Sequence, residues 1–295
     1  MDAAHSESVC GSRRVTGGEG GKESAPEADS RLRADCERCV GLCCVASEFA
    51  ASADFAITKR AGSPCPHLAA DHRCSIHDQL RNRGFAGCAV FDCFGAGQHI
   101  SQITYANVDW RNAPPRVAKE MFESFRIMRH LYELLWHLHE ARCWCEPQEP
   151  LGVEVERQFA EVDRATRNSP DDLRRIDILA TRRAVGETLT QLSAAVRQAA
   201  ISKPVSLRNA DLLGKNFAGR DLRRADLVGA LLLGCNLQGA DLTGADVRGA
   251  DFRAANLRDA RLVDCLFLSQ PQLDAAIGNA GTRLSSNRRR PQHWI

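Results

Sequence analysis

The sequence predicts a multidomain α+β protein in which three kinds of structure follow one another. Eight cysteines lie within residues 35–112, apolar residues recur at helical spacing through 113–202, and every fifth residue is apolar through 203–268. We expect an irregular cysteine-rich module, a helical bundle and a stack of short repeats from these three patterns. The polar segment 1–34 is predicted to be a disordered leader, and 269–295 a capping helix with a basic tail.

Composition limits the classes of function. The chain has 295 residues, of which 44% are hydrophobic, and this suits about two domains. Its formal net charge of +2 gives no general attraction to nucleic acid or acidic lipid. The sequence has neither the long apolar run of a membrane span nor the pattern of a signal peptide. We therefore expect a soluble, cytoplasmic protein that needs no membrane, is unlikely to bind nucleic acid and is compatible with a homo-oligomer.

The middle of the chain predicts three helices. Apolar residues spaced by three and four mark an amphipathic helix over 114–146, and a second is predicted over 151–167. Ser169, followed by Pro170 and two aspartates, predicts the start of a third that runs to about residue 200 with Leu179 facing inward. Short links between these helices predict an antiparallel three-helix bundle.

Residues 205–268 repeat with a period of five. A large apolar residue fills one slot in all thirteen repeats, and the slot two residues earlier is small in eleven of them. Asp or Asn lies between the two slots in most repeats, as in Ala240-Asp241-Leu242. A period of five fits neither a helix nor an ordinary strand, so it predicts units that bury their apolar faces by stacking. Lys215 and Arg220 interrupt the small slot, and we expect the first turn to be irregular there.

This pattern resembles the pentapeptide-repeat family. The resemblance implies a right-handed quadrilateral β-helix in which four repeats make one turn and both slots point inward. Cys235 and Cys265 occupy the small slot, so we interpret them as packing residues. A short helix with Ser269 as its N-cap and Gly278 beyond its end is predicted to cover the last coil.

The cysteines are the candidate metal ligands. Four lie within nine residues, and four follow at loop-like spacings. In a reducing cytosol, such a set favours metal binding over a disulfide framework, and thiolates suit zinc or an iron–sulfur cluster. The eight predicted ligands are Cys36, Cys39, Cys43, Cys44, Cys65, Cys74, Cys88 and Cys93.

Several alternatives stay open at this point. The eight thiols could form one site or two, and some of them could be buried apolar residues instead of ligands. Zinc and an iron–sulfur cluster are not distinguished by the spacing. Histidines could replace a thiolate, and two cysteines that follow the long helix could contribute. These further candidates are His67, His72, His77, Cys143 and Cys145.

The cysteine segment resembles a family of zinc- or iron-chelating cysteine-cluster proteins. The resemblance rests on a Cys-x-x-Cys, a following Cys-Cys pair, Cys74-Ser-Ile-His77, and a later pair of cysteines around Phe91. Three residues separate Cys39 from the Cys-Cys pair where family members often have two, which leaves open whether Cys43 or Cys44 is the ligand. Together with the repeats, the segment also resembles a class of actinobacterial pentapeptide-repeat proteins.

Three functions compete on this evidence, and no catalytic residue is predicted. The first is a metal-binding scaffold that presents the repeats to an unknown protein partner. The alternative is an iron–sulfur dependent enzyme or redox sensor. The third is a DNA mimic that modulates DNA gyrase, as some pentapeptide-repeat proteins do. Between 205 and 268 there are eight Asp, eight Arg and one Lys, and thirteen repeats make roughly 15 Å of coil. A short segment of near-neutral charge does not imitate DNA.

Overall fold

The computed structural model describes residues 29–198 and 204–294. The predicted leader lies outside these residues except at its end, where Ser30–Leu32 forms a 3-10 turn that buries Leu32. The chain divides into two compact units. We call Asp29–His139 with Glu154–Glu187 the cysteine unit, and we call the described parts of Glu140–Val153 and Thr188–Ile295 the repeat unit.

The helices of 113–202 are divided between the two units and do not form the separate domain that we predicted. Helical periodicity shows which face of a helix is buried, but it does not show which core receives that face. No helix within the two described ranges is long and apolar enough to cross a membrane.

The first part of the cysteine unit consists of short elements joined by loops. In order, they are a 3-10 turn at Cys36–Arg38, α1 at Leu42–Ala46, a 3-10 turn at His77–Gln79, α2 at Ala86–Ala89, α3 at Ala96–His99 and a π-helical turn at Ile100–Thr104. Antiparallel bridges join Phe49 with Lys59 and Leu68 with Cys74. Local turns satisfy the backbone of the surrounding loop, as where Phe55 and Ser52 bond each other.

The first two predicted helices are present, and the third is divided into two. They are α4 at Pro115–Ala141, α5 at Pro150–Ala165, α6 at Pro170–Arg174 and α7 at Ile178–Gln198. The third predicted helix is interrupted between α6 and α7, because Asp177 accepts a hydrogen bond from the backbone N–H of Ala180 at 2.9 Å and starts a new helix. Leu179, predicted to face inward, is therefore 75% exposed.

The predicted cap of the third helix is confirmed, since the Ser169 hydroxyl accepts a hydrogen bond from the Asp172 N–H at 3.2 Å. Within the cysteine unit, α4, α5 and the start of α7 line a common cavity of about 320 Å³. The three helices are therefore neighbours there, as a bundle requires.

Glu133 on α4 lies among cations in the cysteine unit. Its carboxylate is 3.4 Å from the Arg182 guanidinium and 3.7 Å from the His130 ring. Burial alone would raise the pKa of Glu133, but the hydrogen bond with His130 and the positive charges of Arg129, His137 and Arg182 lower it to about 2. The carboxylate is therefore more stable as an anion in the folded chain than in the unfolded one.

We expect Glu133→Gln to destabilise the cysteine unit at neutral pH by on the order of 3 kcal/mol. Because the folded pKa is depressed, this contribution is present above the unfolded value of 4.5 and is lost as the pH falls through about 2. Urea unfolding of the full chain, followed by circular dichroism at a series of pH values, measures the difference. The exposed Glu187→Gln variant is the control, and a deficit for Glu133→Gln that did not shrink on acidification would contradict the prediction.

The repeats coil with four pentads in each turn, as predicted. Parallel bridges join residues twenty positions apart, from Ser206 with Asp226 to Asp246 with Leu266. In each of these pairs the bridging residue occupies the Asp or Asn slot. Backbone N–H groups donate to carbonyl oxygens of the next turn, along the axis of the coil. Both inward slots form one continuous apolar core that includes Leu232, Ala240 and Cys235.

Each pentad turns a corner, and this explains the remaining slots. The residue two places after the large slot has a positive φ from Asn209 to Asp264, and seven of these positions are glycine, for example Gly234 at φ 65°. The side chain of the Asp or Asn slot closes the corner, as where Asp241 Oδ1 accepts the Thr243 N–H at 2.9 Å. One residue in each pentad occupies a bridging position, so most of the pairing consists of isolated bridges.

The described residues accordingly contain just two named strands, β1 at Arg261–Leu262 and β2 at Arg283–Leu284, which pair in parallel. Lys215 and Arg220 are exposed, but the first coil keeps the bridges and register of the later coils, so the irregularity that we expected there is not observed. The end of α7 belongs to this unit, where Arg197 lies 3.2 Å from the buried carboxylate of Asp226.

The C-terminal segment differs from the predicted helix and tail. Ser269 caps α8 (Gln270–Ala275), with its N–H donating to the Gln272 side chain at 2.8 Å, but the helix ends three residues before Gly278. The chain then adds β2 to the coil, and Trp294 packs into the repeat core.

The predicted basic tail is therefore folded structure, because its guanidinium groups have partners. Arg288 pairs with Glu140 at 2.5 Å, and Arg290 donates to the carbonyl oxygen of Thr282 at 3.0 Å. Three consecutive arginines look like a solvated tail in the sequence because no pattern marks these partners, of which Glu140 lies 148 residues from Arg288.

Candidate metal centre

All eight predicted ligands lie in the cysteine unit, and all are free thiols. Cys43 and Cys44 are on α1, Cys88 is on α2, and Cys93 lies three residues before α3. The other four lie in short turns and loops. Their positions therefore depend on how the loops are held together.

Cys36, Cys39 and Cys93 are brought together at the start of α3. The Cys39 N–H donates to the Cys36 carbonyl at 3.5 Å, and the Ala96 N–H donates to the Cys93 carbonyl at 2.9 Å. Gly97 lies between the two segments: a methyl group there would be 2.8 Å from Cys39 Sγ and 3.6 Å from Cys93 Sγ. Glycine is required for this approach, which joins thiols more than fifty residues apart in the chain.

Cys44, Cys65, Cys74 and Cys88 are connected by a second set of contacts. The Cys65 N–H donates to the Cys44 carbonyl at 2.9 Å, and Cys74 forms an antiparallel bridge with Leu68. Cys74 and Cys88 both pack against a small apolar cluster of Ile76, Leu80 and Phe85. These contacts connect the four cysteines through backbone hydrogen bonds and through that cluster.

Helix α1 links the two groups. Cys43 Sγ and Cys44 Sγ are 3.9 Å apart. The helix starts after Gly41, which has a φ of +69° and lies so close to the next loop that a methyl group there would be 2.9 Å from the His72 carbonyl oxygen. Gly41 thus fixes the paired cysteines against the loop that carries Cys65 and Cys74.

The thiols are close enough to affect one another's protonation. Burial, and then the charges of Cys44, Cys65 and Cys74, raise the pKa of Cys88 to about 11. Burial also raises the pKa of Cys93 to about 11, although hydrogen bonds from the backbone of Gly97 and Gly95 act to lower it. Without a cation these groups are protonated at neutral pH, and a bound cation would favour the thiolate forms.

Lys59 is a buried cation beside the thiols, and sequence reasoning missed it. The residue is 6% exposed, and its ammonium group donates to the carbonyl oxygens of Val45, Arg60 and Ser63 at 3.2, 3.1 and 2.9 Å. Burial lowers the pKa of Lys59, while the charges of four cysteines, Cys65 first, act to raise it. A single lysine in a loop carries no sequence signal for such a role.

The side chains as placed gather in space but do not converge on one point. In the part of the chain that the structure describes, no group of three or more His, Cys, Asp or Glu side chains is arranged to hold a metal ion. The donor chemistry nevertheless suits soft metals, and each sulfur changes position by rotation about a single Cα–Cβ bond. The predicted set is thus assembled by the backbone, with its sulfurs outside coordination geometry.

The further candidates have other roles where they lie. The His67 ring packs edge-on against Phe85, His72 lies 3.4 Å from the Asp109 carboxylate, and the His77 side chain is largely exposed. Cys143 and Cys145 belong to the repeat unit, where the Cys145 thiol donates to the Ala141 carbonyl at 3.4 Å. None of these contacts favours a ligand role.

The packing interpretation of the two cysteines in the repeats is confirmed. Cys235 and Cys265 are buried in the repeat core. Their thiols donate to the carbonyl oxygens of Leu212 and Leu242 at 2.7 and 3.2 Å.

Comparisons with known proteins identify the repeats and a relative along most of the chain. Residues 230–267 match the family of pentapeptide repeats in eight copies. The uncharacterized protein YybG of Bacillus subtilis (strain 168) is 53% identical over 267 residues, which cover 89% of this chain and 95% of YybG. This relative comes from a Bacillus, so the expected likeness to an actinobacterial class is not shown. The family match lies within the repeats, and the resemblance of the cysteine segment to chelating proteins stays a prediction.

Solved structures of repeat proteins are similar over a small part of the chain. QnrB1, a plasmid-mediated fluoroquinolone resistance protein, is 25% identical over 28% of this chain and 38% of its own, with a TM-score of 0.24. HetL of Nostoc sp. strain PCC 7120, involved in heterocyst differentiation regulation, is 29% identical over 27% of this chain and 47% of its own, with a TM-score of 0.20. The chain thus spans less than half the length of either structure.

Proposed function

The chain belongs to the family of YybG from Bacillus subtilis and carries pentapeptide repeats, and on this premise we propose that it is a cytoplasmic, metal-binding scaffold that presents its coil to a protein partner. One observation carries the proposal: eight free thiols from residues 36 to 93 gather in a unit built of loops and very short helices. Thiolates in this number are ligands for zinc or for iron–sulfur clusters.

The cysteine segment has a structural need for metal. Between residues 36 and 93 each helical element has at most five residues, and one apolar cluster there has only Ile76, Leu80 and Phe85 as its buried members. A core of this size contributes little to folding, and small domains of this kind depend on disulfides or metal. A structural zinc site contributes about 10–16 kcal/mol of binding free energy, which becomes folding free energy. Metal would therefore hold the loops in place.

The chain's own residues are suited to hold such a group. The eight cysteines named above would provide the thiolates, and a bound zinc ion or cluster would supply positive charge that keeps them deprotonated. Four thiolates around one zinc ion leave a net negative charge. Lys59, which is fixed by three carbonyl oxygens beside this set, offsets part of that charge.

The repeat surface suits a protein partner better than DNA or a DNA-binding enzyme. Outward charges are neutralised locally, since Arg223 pairs with Asp221 and Arg253 with Asp251, each at 2.7 Å. Such a surface lacks the dense charge of one sign that nucleic-acid recognition or DNA mimicry needs. Apolar side chains such as Leu213 and Leu231 are exposed between these pairs, and mixed polar and apolar surfaces are typical of protein interfaces.

Metal analysis of the full chain purified without oxygen tests the proposal. We expect stoichiometric zinc, or iron with acid-labile sulfide and visible charge-transfer absorption. Cys145→Ser, which changes a thiol of the repeat unit, should leave the metal content unchanged. A full chain that is folded by circular dichroism and yet contains neither metal nor chromophore would overturn the metal-binding function.

A further inference from the structure

The loops of the cysteine unit divide the eight thiols into two groups of four. The first group is joined at the start of α3, where Gly97 separates Cys39 Sγ from Cys93 Sγ and the Cys36–Arg38 turn carries Cys36. The second is joined by the hydrogen bond between Cys65 and Cys44, by the bridge at Cys74, and by the apolar cluster that Cys74 and Cys88 share. The groups meet only at the adjacent cysteines of α1.

Consecutive positions of α1 separate the paired cysteines. Side chains of neighbouring residues on a helix leave its axis about 100° apart, so Cys43 and Cys44 face different surroundings although their sulfurs are 3.9 Å apart. The Cys44 carbonyl accepts the Cys65 N–H at 2.9 Å, which places Cys44 with the second group and leaves Cys43 for the first.

We propose that the cysteine unit holds two separate metal centres, one on Cys36, Cys39, Cys43 and Cys93 and the other on Cys44, Cys65, Cys74 and Cys88. Both cysteines of the adjacent pair are then ligands, each to a different metal. This inference rests on the proposed metal-binding function and adds the number of centres and the ligands of each. Lys59 belongs with the second centre, since its ammonium group donates to the carbonyl oxygens of Val45 and Ser63, which lie within two residues of Cys44 and Cys65.

Four thiolates complete the tetrahedral coordination that zinc prefers in structural sites. For zinc, each centre forms when four S–H bonds break, four zinc–sulfur bonds form and four protons pass to solvent. The product of each centre is one zinc ion with four thiolates and a net charge of −2. No oxidant or reductant is consumed, so the inference can be tested with Zn²⁺ alone.

The test uses the full chain, freed of its native metal by a chelator and reloaded anaerobically with Zn²⁺. We expect two equivalents of bound zinc in the unchanged chain and one equivalent in the within-group double variants Cys39→Ser/Cys93→Ser and Cys65→Ser/Cys88→Ser. The across-group variant Cys93→Ser/Cys88→Ser, which also changes two cysteines, is expected to lose both ions. Cys43→Ser and Cys44→Ser should each lose one ion.

A measurement on the unchanged chain keeps the inference testable if a variant does not fold. On titration with Co²⁺, two separate four-thiolate centres give charge-transfer absorption that rises with constant intensity per cobalt to two equivalents. One equivalent of bound metal, or a spectrum that changes when the second ion enters because thiolates are shared, would overturn the division into two centres and leave the metal-binding function standing. A chain that binds no metal would overturn that function itself.

Discussion

Leu232→Ala is expected to destabilise the repeat unit by about 3 kcal/mol, near the middle of the range for buried leucines. Leu232 is 0% exposed and fills the large slot of its pentad. The register of twenty places it between Leu212 and Phe252 of the adjacent coils, so removal of its side chain leaves a void that neither neighbour can fill without moving the backbone. Hydrogen exchange of peptides from 205–268 in increasing denaturant measures the loss within the repeats.

The chain provides a matched control for this substitution. Leu231 is the preceding residue, has the same side chain and is 48% exposed because it occupies the outward bridging slot. Leu231→Ala should cost less than about 1 kcal/mol, since the backbone bonds of the bridge stay in place. Equal losses for the two variants would show that the inward and outward slots are assigned wrongly.

Glu140→Gln is expected to destabilise the repeat unit by about 3–5 kcal/mol, because it removes the carboxylate that pairs with the buried Arg288 guanidinium. The two side chains are 3% and 10% exposed, and the carboxylate accepts a hydrogen bond from Arg288 at 2.5 Å. A buried charge that loses its partner keeps its full desolvation cost. Thermal unfolding of the C-terminal segment, followed by hydrogen exchange of 269–294, is the measurement.

Two further variants separate the ion pair from the packing around it. The double variant Glu140→Gln/Arg288→Met removes both charges and should recover most of the loss, as apolar replacement of buried pairs often does. Arg289→Ala removes the neighbouring guanidinium from an exposed position and should change stability by less than about 0.5 kcal/mol. A double variant as unstable as Glu140→Gln alone would show that the loss does not come from the unpaired charge.

The repeats could be predicted in detail because the same kinds of residue occupy the same slots in every pentad. The slots of Leu232 and Ala240 are visible in the sequence, and their burial follows. The end of the chain could not be predicted in this way. Trp294 stands alone in a polar segment with no period, yet it packs in the repeat core because β2 brings the chain back to the coil.

In the cysteine unit, local features could be predicted from the sequence, but the contacts between loops could not. Residue type and spacing were enough to place Ser169 at a helix start, since a cap depends on neighbours in the chain. The choice of the eight thiols as ligands rests on the same kind of local signal and stays a prediction. The approach of Cys39 to Cys93 across Gly97 depends on loops that have no periodic signal. Lys59 was missed for the same reason, because its three carbonyl partners come from loop geometry that the sequence does not encode in any pattern.

The register of twenty has a consequence for changes in chain length. Insertion or deletion of one pentad would leave every Leu and Ala slot inside the coil, since each pentad turns the same corner. It would, however, rotate all later residues by a quarter turn, so that outward side chains which shared a face, such as Asp221 and Asp241, would move to neighbouring faces. Homologues that differ by one to three pentads can thus keep the same core and present rearranged faces, and only differences of four pentads restore the original columns.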